Sequence, residues 1–208
     1  YCSDLGDGGY NGWRLPTAAE FSTIMDYAAS NRIRSEFTNS NGSYWTQERM
    51  LFSSADGTFA YAASGTAQVK CVRSDNGSCS AVQCQDAADL FVLDFDNAVI
   101  TSSDEIFSFW YFGNPKVSKT WKDALDFCKT ADVNGMNKMR LPTVNEIMSL
   151  IDTQNNRSLI PGFTGTVWTS TTLSSDAAKA YAVTFSSGIP PMSETKAKTT
   201  SNYVICVE

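Results

Sequence analysis

The chain has 208 residues, 42% hydrophobic, 12% aromatic and 18% charged, the composition of a packed globular protein with room for one large domain or two small ones. It contains no histidine, which excludes Ser-His-Asp and Cys-His nucleophile systems, His-ligated zinc and imidazole pH switches. A net charge of −6, from 16 basic and 22 acidic residues, gives no global attraction for nucleic acid or anionic lipid, and no apolar run reaches the ~18 residues that span a bilayer.

The chain opens on Tyr1-Cys2-Ser3, followed by a loop, Asp4-Leu5-Gly6-Asp7-Gly8-Gly9, and then Trp13-Arg14-Leu15-Pro16-Thr17. Thr17 and Glu20 form a Thr-x-x-Glu capping box, so a helix is predicted from residue 18, with Phe21, Ile24, Met25 and Ala28 as its core stripe. Trp45-Thr46, Ala60-Tyr61-Ala62 and Lys70-Cys71-Val72 lie in β-branched and aromatic runs between Ser/Gly/Asn loops and read as short strands. Residues 90-101 read as a hairpin turning at Asp94-Phe95-Asp96-Asn97, and 106-112 as an aromatic strand. Thr120 caps a second helix whose stripe is Trp121, Ala124, Leu125 and Cys128. Met139-Arg140-Leu141-Pro142-Thr143 and Glu146 then repeat the first capping box, with Ile147, Leu150 and Ile151 marking the stripe. Strands around Trp168, Tyr181 and Cys206 complete the chain.

These landmarks recur in one order. Cys2 precedes Arg14 by 12 residues and Cys128 precedes Arg140 by 12; Gly9 and Asn11 answer to Gly135 and Asn137. Trp45-Thr46 answers to Trp168-Thr169, Ala60-Tyr61-Ala62 to Ala180-Tyr181-Ala182, and Lys70-Cys71-Val72 to Ile205-Cys206-Val207. The reading is two tandem α+β modules, residues 1-74 and 90-208, joined by a junction at 75-89. The first module starts at its cysteine with nothing equivalent to residues 90-127 ahead of it, so the natural polypeptide is expected to extend upstream.

Six cysteines allow 15 pairings, and the repeat reduces them to Cys2-Cys71, Cys128-Cys206 and a local Cys79-Cys84 loop at the junction. Such bridges persist outside the cytosol. A zinc knot would need four thiolates, and the spacing from Cys71 to Cys84 has no Cys-x2-Cys pair, so no metal and no cofactor are expected.

Thr120-Trp121-Lys122-Asp123-Ala124-Leu125-Asp126-Phe127-Cys128, then Arg140-Leu141-Pro142-Thr143 with Glu146, Val167-Trp168-Thr169-Ser170, Tyr181 and Val204-Ile205-Cys206-Val207 together resemble the C-terminal domain family of the Legionella collagen-like adhesin. The second module matches from about residue 88 to 208 and the first from Cys2 onward. The resemblance implies a C-type-lectin-like fold, a bacterial secreted or surface protein, and binding of sulfated glycans in the adhesin that names the family. The chain departs from that pattern. It has no collagen-like stretch, so trimerisation is not implied; Met139 replaces the motif tryptophan, and Ile205 and Glu208 stand where arginines are common. Neither half is net basic, with 6 basic and 8 acidic residues in 1-84 and 10 and 14 in 85-208.

The candidate ligand-binding residues are Trp45 and Trp168, whose rings could stack on a sugar or fill a core, and Lys196 and Lys198. Other lysines, Lys116, Lys119, Lys122 and Lys129, surround the second-module helix. Arg14 and Arg140 read as locks on their Pro-Thr loops. Asp94 to Glu105 superficially matches a calcium loop, but Ala98 and Val99 occupy positions where a ligand and the turn glycine belong. From Tyr61 to Cys71 is 10 residues and from Tyr181 to Cys206 is 25, so the second module inserts a long loop at about 186-202, the first place to look for binding. The expected function is non-enzymatic adhesion or recognition by an extracytoplasmic bacterial surface or secreted protein, glycan-binding within a fibre or pilus. The partner is a host or cell-surface glycan or another surface protein, with no nucleic acid and no membrane span. The alternatives are an assembly subunit of a surface fibre and, third, an enzyme on a lectin-like fold.

Overall fold

A computed structural model describes residues 2-4, 12-29, 32-34, 37, 42-72, 91-94, 99-102, 110-111, 117-132, 138-152, 157-158 and 163-208. The junction at 75-89, the Cys79-Cys84 loop and the turn of the calcium-like segment at residues 95-98 lie outside them. The protein is α+β. After a 3-10 turn at Cys2–Asp4 come α1 (Ala18–Thr23) and the strands β1 (Ser43–Trp45), β2 (Met50–Ser53) and β3 (Thr58–Tyr61). Next are β4 (Phe91–Asp94), β5 (Val99–Ser102), β6 (Trp110–Tyr111), β7 (Ser118–Lys119), α2 (Trp121–Thr130) and α3 (Val144–Met148). The chain closes with β8 (Ile151–Asp152), β9 (Arg157–Ser158), β10 (Gly165–Thr172), β11 (Lys179–Ser186), β12 (Ile189–Ala197), β13 (Asn202–Tyr203) and β14 (Cys206–Val207).

Among the described residues the strands form four sheets, in the orders β1-β2-β3, β12-β11-β10-β13-β7, β14-β6-β5-β4 and β8-β9. All pairings between these strands are antiparallel except β10 with β13. Strand periodicity sorts β11 between two cores: Tyr181, Val183 and Phe185 enter one, and Ala180 and Ala182 the other. The first core joins both halves of the chain. Phe21 and Met25, then Tyr44, Phe52 and Phe59, share it with Val144, Ile147, Val167, Tyr181 and Phe185. The second lies under α2, where Ala124 and Cys128 meet Leu141, Trp168, Ala180, Ala182 and Val204.

Disulfides join Cys2 to Cys71 and Cys128 to Cys206, with Cα separations of 5.7 and 5.4 Å. Each ties the region ahead of an Arg-Leu-Pro-Thr loop to the strand or bridge that follows. That pairing is tightened by backbone bonds, from Arg14 to Val72 in one half and from Arg140 to Val207 in the other, each exchanged in both directions at 2.8–2.9 Å.

Two expectations are corrected. The helix after Thr17 ends at Thr23, so Ile24 is only half-buried and Ala28 is exposed, although Phe21 and Met25 are buried as the stripe requires. The hydroxyls of Ser22 and Thr23 bond back to the carbonyls of Ala19 and Glu20 at 2.6 and 2.7 Å, taking up acceptors in the last turn, and the chain then turns so that Met25 bridges Ile33. The long segment near 186-202 is not a loop: residues 189-197 are strand β12, paired with β11 from Lys179↔Ala197 to Ser186↔Ile189. Its two prolines fall where the register shifts between Thr184 and Ser186, so their missing amides break no regular ladder. The other side of β12 faces β3, where the Phe59 amide donates to Ser193 Oγ at 2.7 Å.

Candidate functional site

The two Arg-Leu-Pro-Thr loops make the same bonds. Thr17 and Thr143 cap α1 and α3 through their hydroxyls, and Glu20 and Glu146 return to the cap amides at 2.8 and 2.7 Å. Each glutamate also takes a two-pronged hydrogen bond from arginine, Arg14 at 2.6 and 2.7 Å and Arg140 at 2.6 and 2.8 Å. Burial alone would raise both carboxyls; the arginine and the cap amide outweigh it and hold each below its ordinary value. The Gln47 and Ser170 amides close the loops onto the carbonyls of Pro16 and Pro142. Arg14 and Arg140 are thereby locks on the fold, and their carboxylate partners are committed to it.

The halves differ at the first amide of the helix. The Ala18 amide donates to both carboxylate oxygens of Glu48, at 3.0 and 3.1 Å, whereas the Val144 amide donates to Thr171 Oγ1 at 3.2 Å. Glu48 is 0% exposed, and burial pushes its carboxyl up despite the amides that favour the charged form.

Between the halves, Tyr181 donates its hydroxyl to the Asp56 carbonyl and stacks edge-on against Tyr27, ring centroids 4.8 Å apart. Gly57 sits under that hydroxyl at φ +74°, where a Cβ would approach it to 2.8 Å. Buried Arg32 bonds to the Tyr27 and Ala29 carbonyls and, across the boundary, to Ser174 Oγ at 2.7 Å. This group is tightly filled and acts as a seam.

The four sequence-named ligand residues are dispersed. Trp168 is not a stacking platform: it is 0% exposed in the second core, and its Nε1 donates to the Lys119 carbonyl at 3.0 Å. Trp45 is half-buried on β1, on the side of that sheet away from the first core. Lys196 is half-buried and paired with Glu194 at 3.0 Å. Lys198 lies at the start of α2, with Nζ 4.0 Å from the centre of the Trp121 ring and bonded to Thr172 Oγ1 at 3.3 Å. The Trp121 amide donates to the Lys198 carbonyl and its indole to the Thr169 carbonyl, so both the main chain and the ring are anchored. Lys119 lies over Phe127 at 5.4 Å, and exposed Lys122 pairs with Asp126 at 2.8 Å.

Lys119, Trp121 and Lys122 thus follow one another at the start of α2 and Lys198 joins them at Trp121, an aromatic and basic edge that also carries Asp123 and Asp126. Trp121 was legible in the Thr120-Trp121 pair, but its place in the core stripe hid its contact with Lys198. No group of three or more acidic or cysteine side chains suited to a metal occurs among the described residues. No helix among them is long and apolar enough to cross a membrane.

No curated protein and no solved structure matches the chain. Residues 102–208, just over half of the chain, match the family model of the Lcl C-terminal domain, and they carry α2, the second Arg-Leu-Pro-Thr loop, β10 to β14 and the Cys128–Cys206 bridge. The chain belongs to the Lcl C-terminal domain family.

Proposed function

We propose that the protein is a non-catalytic recognition part of a bacterial surface or secreted protein, working outside the cytoplasm and taking an anionic glycan at the α2 edge. The observation that carries this reading is the Lys198 ammonium lying 4.0 Å over Trp121, which Lys119 and Lys122 flank in the chain, on a scaffold of the adhesin-related family. The part of the half-buried Trp121 ring left exposed by Lys198 and the second core offers apolar contact, and the ammonium groups offer charge, to a sulfated or carboxylated sugar. The Cys2–Cys71 and Cys128–Cys206 disulfides favour an oxidising compartment. A non-catalytic role is supported by the absence of histidine and by the commitment of Glu20 and Glu146 to their arginines.

The same reading takes the chain as two copies of one lectin-like module, 1-74 and 90-208. Its support is the bond-for-bond match of the two loops, down to the Pro16 and Pro142 carbonyls. Binding is tested on arrays of sulfated, carboxylated and neutral glycans, with and without calcium. Retention on anionic glycans that falls about tenfold in Lys119→Ala/Lys198→Ala is the expected result. A blank array, or equal binding by the double variant, overturns the site.

A further inference from the structure

In the second half, α2 covers one face of its sheet. Trp168, Ala180 and Ala182 lie beneath it at 0% exposure, with Leu141 and Val204 at 1%. The positions that correspond in the first half are Trp45, Ala60, Ala62, Leu15 and Val69. None is closed: Val69 is 37% exposed, Ala60 is exposed, and Trp45, Ala62 and Leu15 are half-buried. Register places Trp45 and Ala60 together, since Trp45 pairs with Leu51 and Leu51 with Ala60, on the face opposite the Tyr44, Phe52 and Phe59 side chains of the first core. Trp13, the counterpart of Met139, has its indole nitrogen buried with no hydrogen-bond partner.

We propose that this face is a docking groove for an amphipathic helix of the α2 kind, running into Cys2 so that the Cys2–Asp4 helical turn is its last turn. The chemistry of the occupant follows from the face that already has one. Cys128 stands in the last turns of α2 and is bridged to Cys206, as Cys2 in its helical turn is bridged to Cys71. A helix arriving at Cys2 would therefore lie over Trp45, Ala60 and Val69 as α2 lies over Trp168, Ala180 and Val204. It needs an aromatic residue seven positions before Cys2 and a small residue four before, as Trp121 and Ala124 stand before Cys128. The α2 of a second copy is not the occupant, because it is already held in its own core through Cys128.

The proposal rests on the two-copy reading. The test is a graft of residues 117-127 directly ahead of Cys2, on the full chain, beside a control graft carrying Trp121→Ala and Ala124→Glu within the added segment. The Ala60 and Val69 methyl signals are read for their sensitivity to a paramagnetic reagent dissolved in the solvent, with Ala180 and Val204 as internal references. The expected result is that the graft lowers the sensitivity of Ala60 and Val69 to that of their references and raises Tm by about 2–4 °C or more, while the control does neither. Unchanged sensitivity with the graft, or equal protection by the control, overturns the groove. Failure of the two-copy reading shows separately, as an experimental structure in which residues 12-72 do not superpose on 138-207.

Discussion

The two Arg-Leu-Pro-Thr loops agree in their bonds and disagree in their surroundings. Arg14 and Arg140 hold Glu20 and Glu146 alike, and Thr17 and Thr143 cap alike, because every partner lies within six residues of the arginine. What differs is supplied from afar. Glu48 meets the first helical amide in one half and Thr171 in the other; α2 lies over Trp168, while Trp45 remains half-buried. Local chemistry is therefore duplicated more faithfully than burial, and burial sets how much each duplicated residue contributes to stability.

The comparison is broken hardest at the tryptophans. Trp168→Ala should cost about 3–5 kcal/mol, since the fully buried ring leaves a cavity; Trp45→Ala should cost about 1 kcal/mol. Denaturant unfolding of both variants measures the difference, and equal losses would contradict the burial contrast. The disulfides come next. Replacing Cys128 and Cys206 by Ala should cost about 2–5 kcal/mol, and more than replacing Cys2 and Cys71, because both cysteines of the former pair lie at 0% exposure in the second core.

The glutamates follow, with opposite pH signatures. Glu146→Gln should cost about 1–2 kcal/mol at pH 7, since it weakens the bonds from Arg140 and the cap amide. The unfolded carboxyl titrates near pH ~4.3, and the folded one is held lower, so its stabilisation is complete above that pH and is lost as pH falls through the folded value. The variant should flatten the acid limb of a Tm-against-pH curve. Glu48 is raised, so the stability linked to its proton is complete below the unfolded value and lost as pH rises through the folded one. Glu48→Gln should therefore gain relative to the native chain as pH rises above the unfolded carboxyl value, ending within about 1 kcal/mol of it or above it. The smallest effect is expected at the α2 edge, where Lys198→Ala should cost about 0.5–1 kcal/mol through the lost contact with Trp121.

What the sequence disclosed follows the range of the interaction. The capping boxes at Thr17 and Thr143 and the locking of the arginines onto their loops were legible because their spacing encodes them. The Cys2–Cys71 and Cys128–Cys206 pairs were legible because the landmarks recur. The early end of α1 was not, since periodicity at Phe21 and Met25 continues past the point where the Ser22 and Thr23 hydroxyls compete for carbonyls. The extra length between Tyr181 and Cys206 suggested a loop, but it is taken up by β12, with Pro190 and Pro191 at a register shift. At the candidate site, Lys198 was named without its partner, because the Lys198–Trp121 contact spans 77 positions of chain and no local pattern encodes it. The core shared by Phe21, Phe59, Val144 and Tyr181 was hidden for the same reason.

The disulfides carry a consequence for a protein under load. A pull on the two ends cannot draw out the chain between Cys2 and Cys71 or between Cys128 and Cys206, because tension crosses each segment through its sulfur bridge. Only the stretch from Cys71 to Cys128 can pay out, at most roughly 200 Å at ~3.3–3.6 Å per residue. Both Arg-Leu-Pro-Thr loops and most of the shared core lie in the shielded lengths, whereas of the α2 edge only Lys198 does; Lys119, Trp121 and Lys122 lie in the stretch that pays out. A tether built this way would lengthen at its middle while its stapled ends stayed closed.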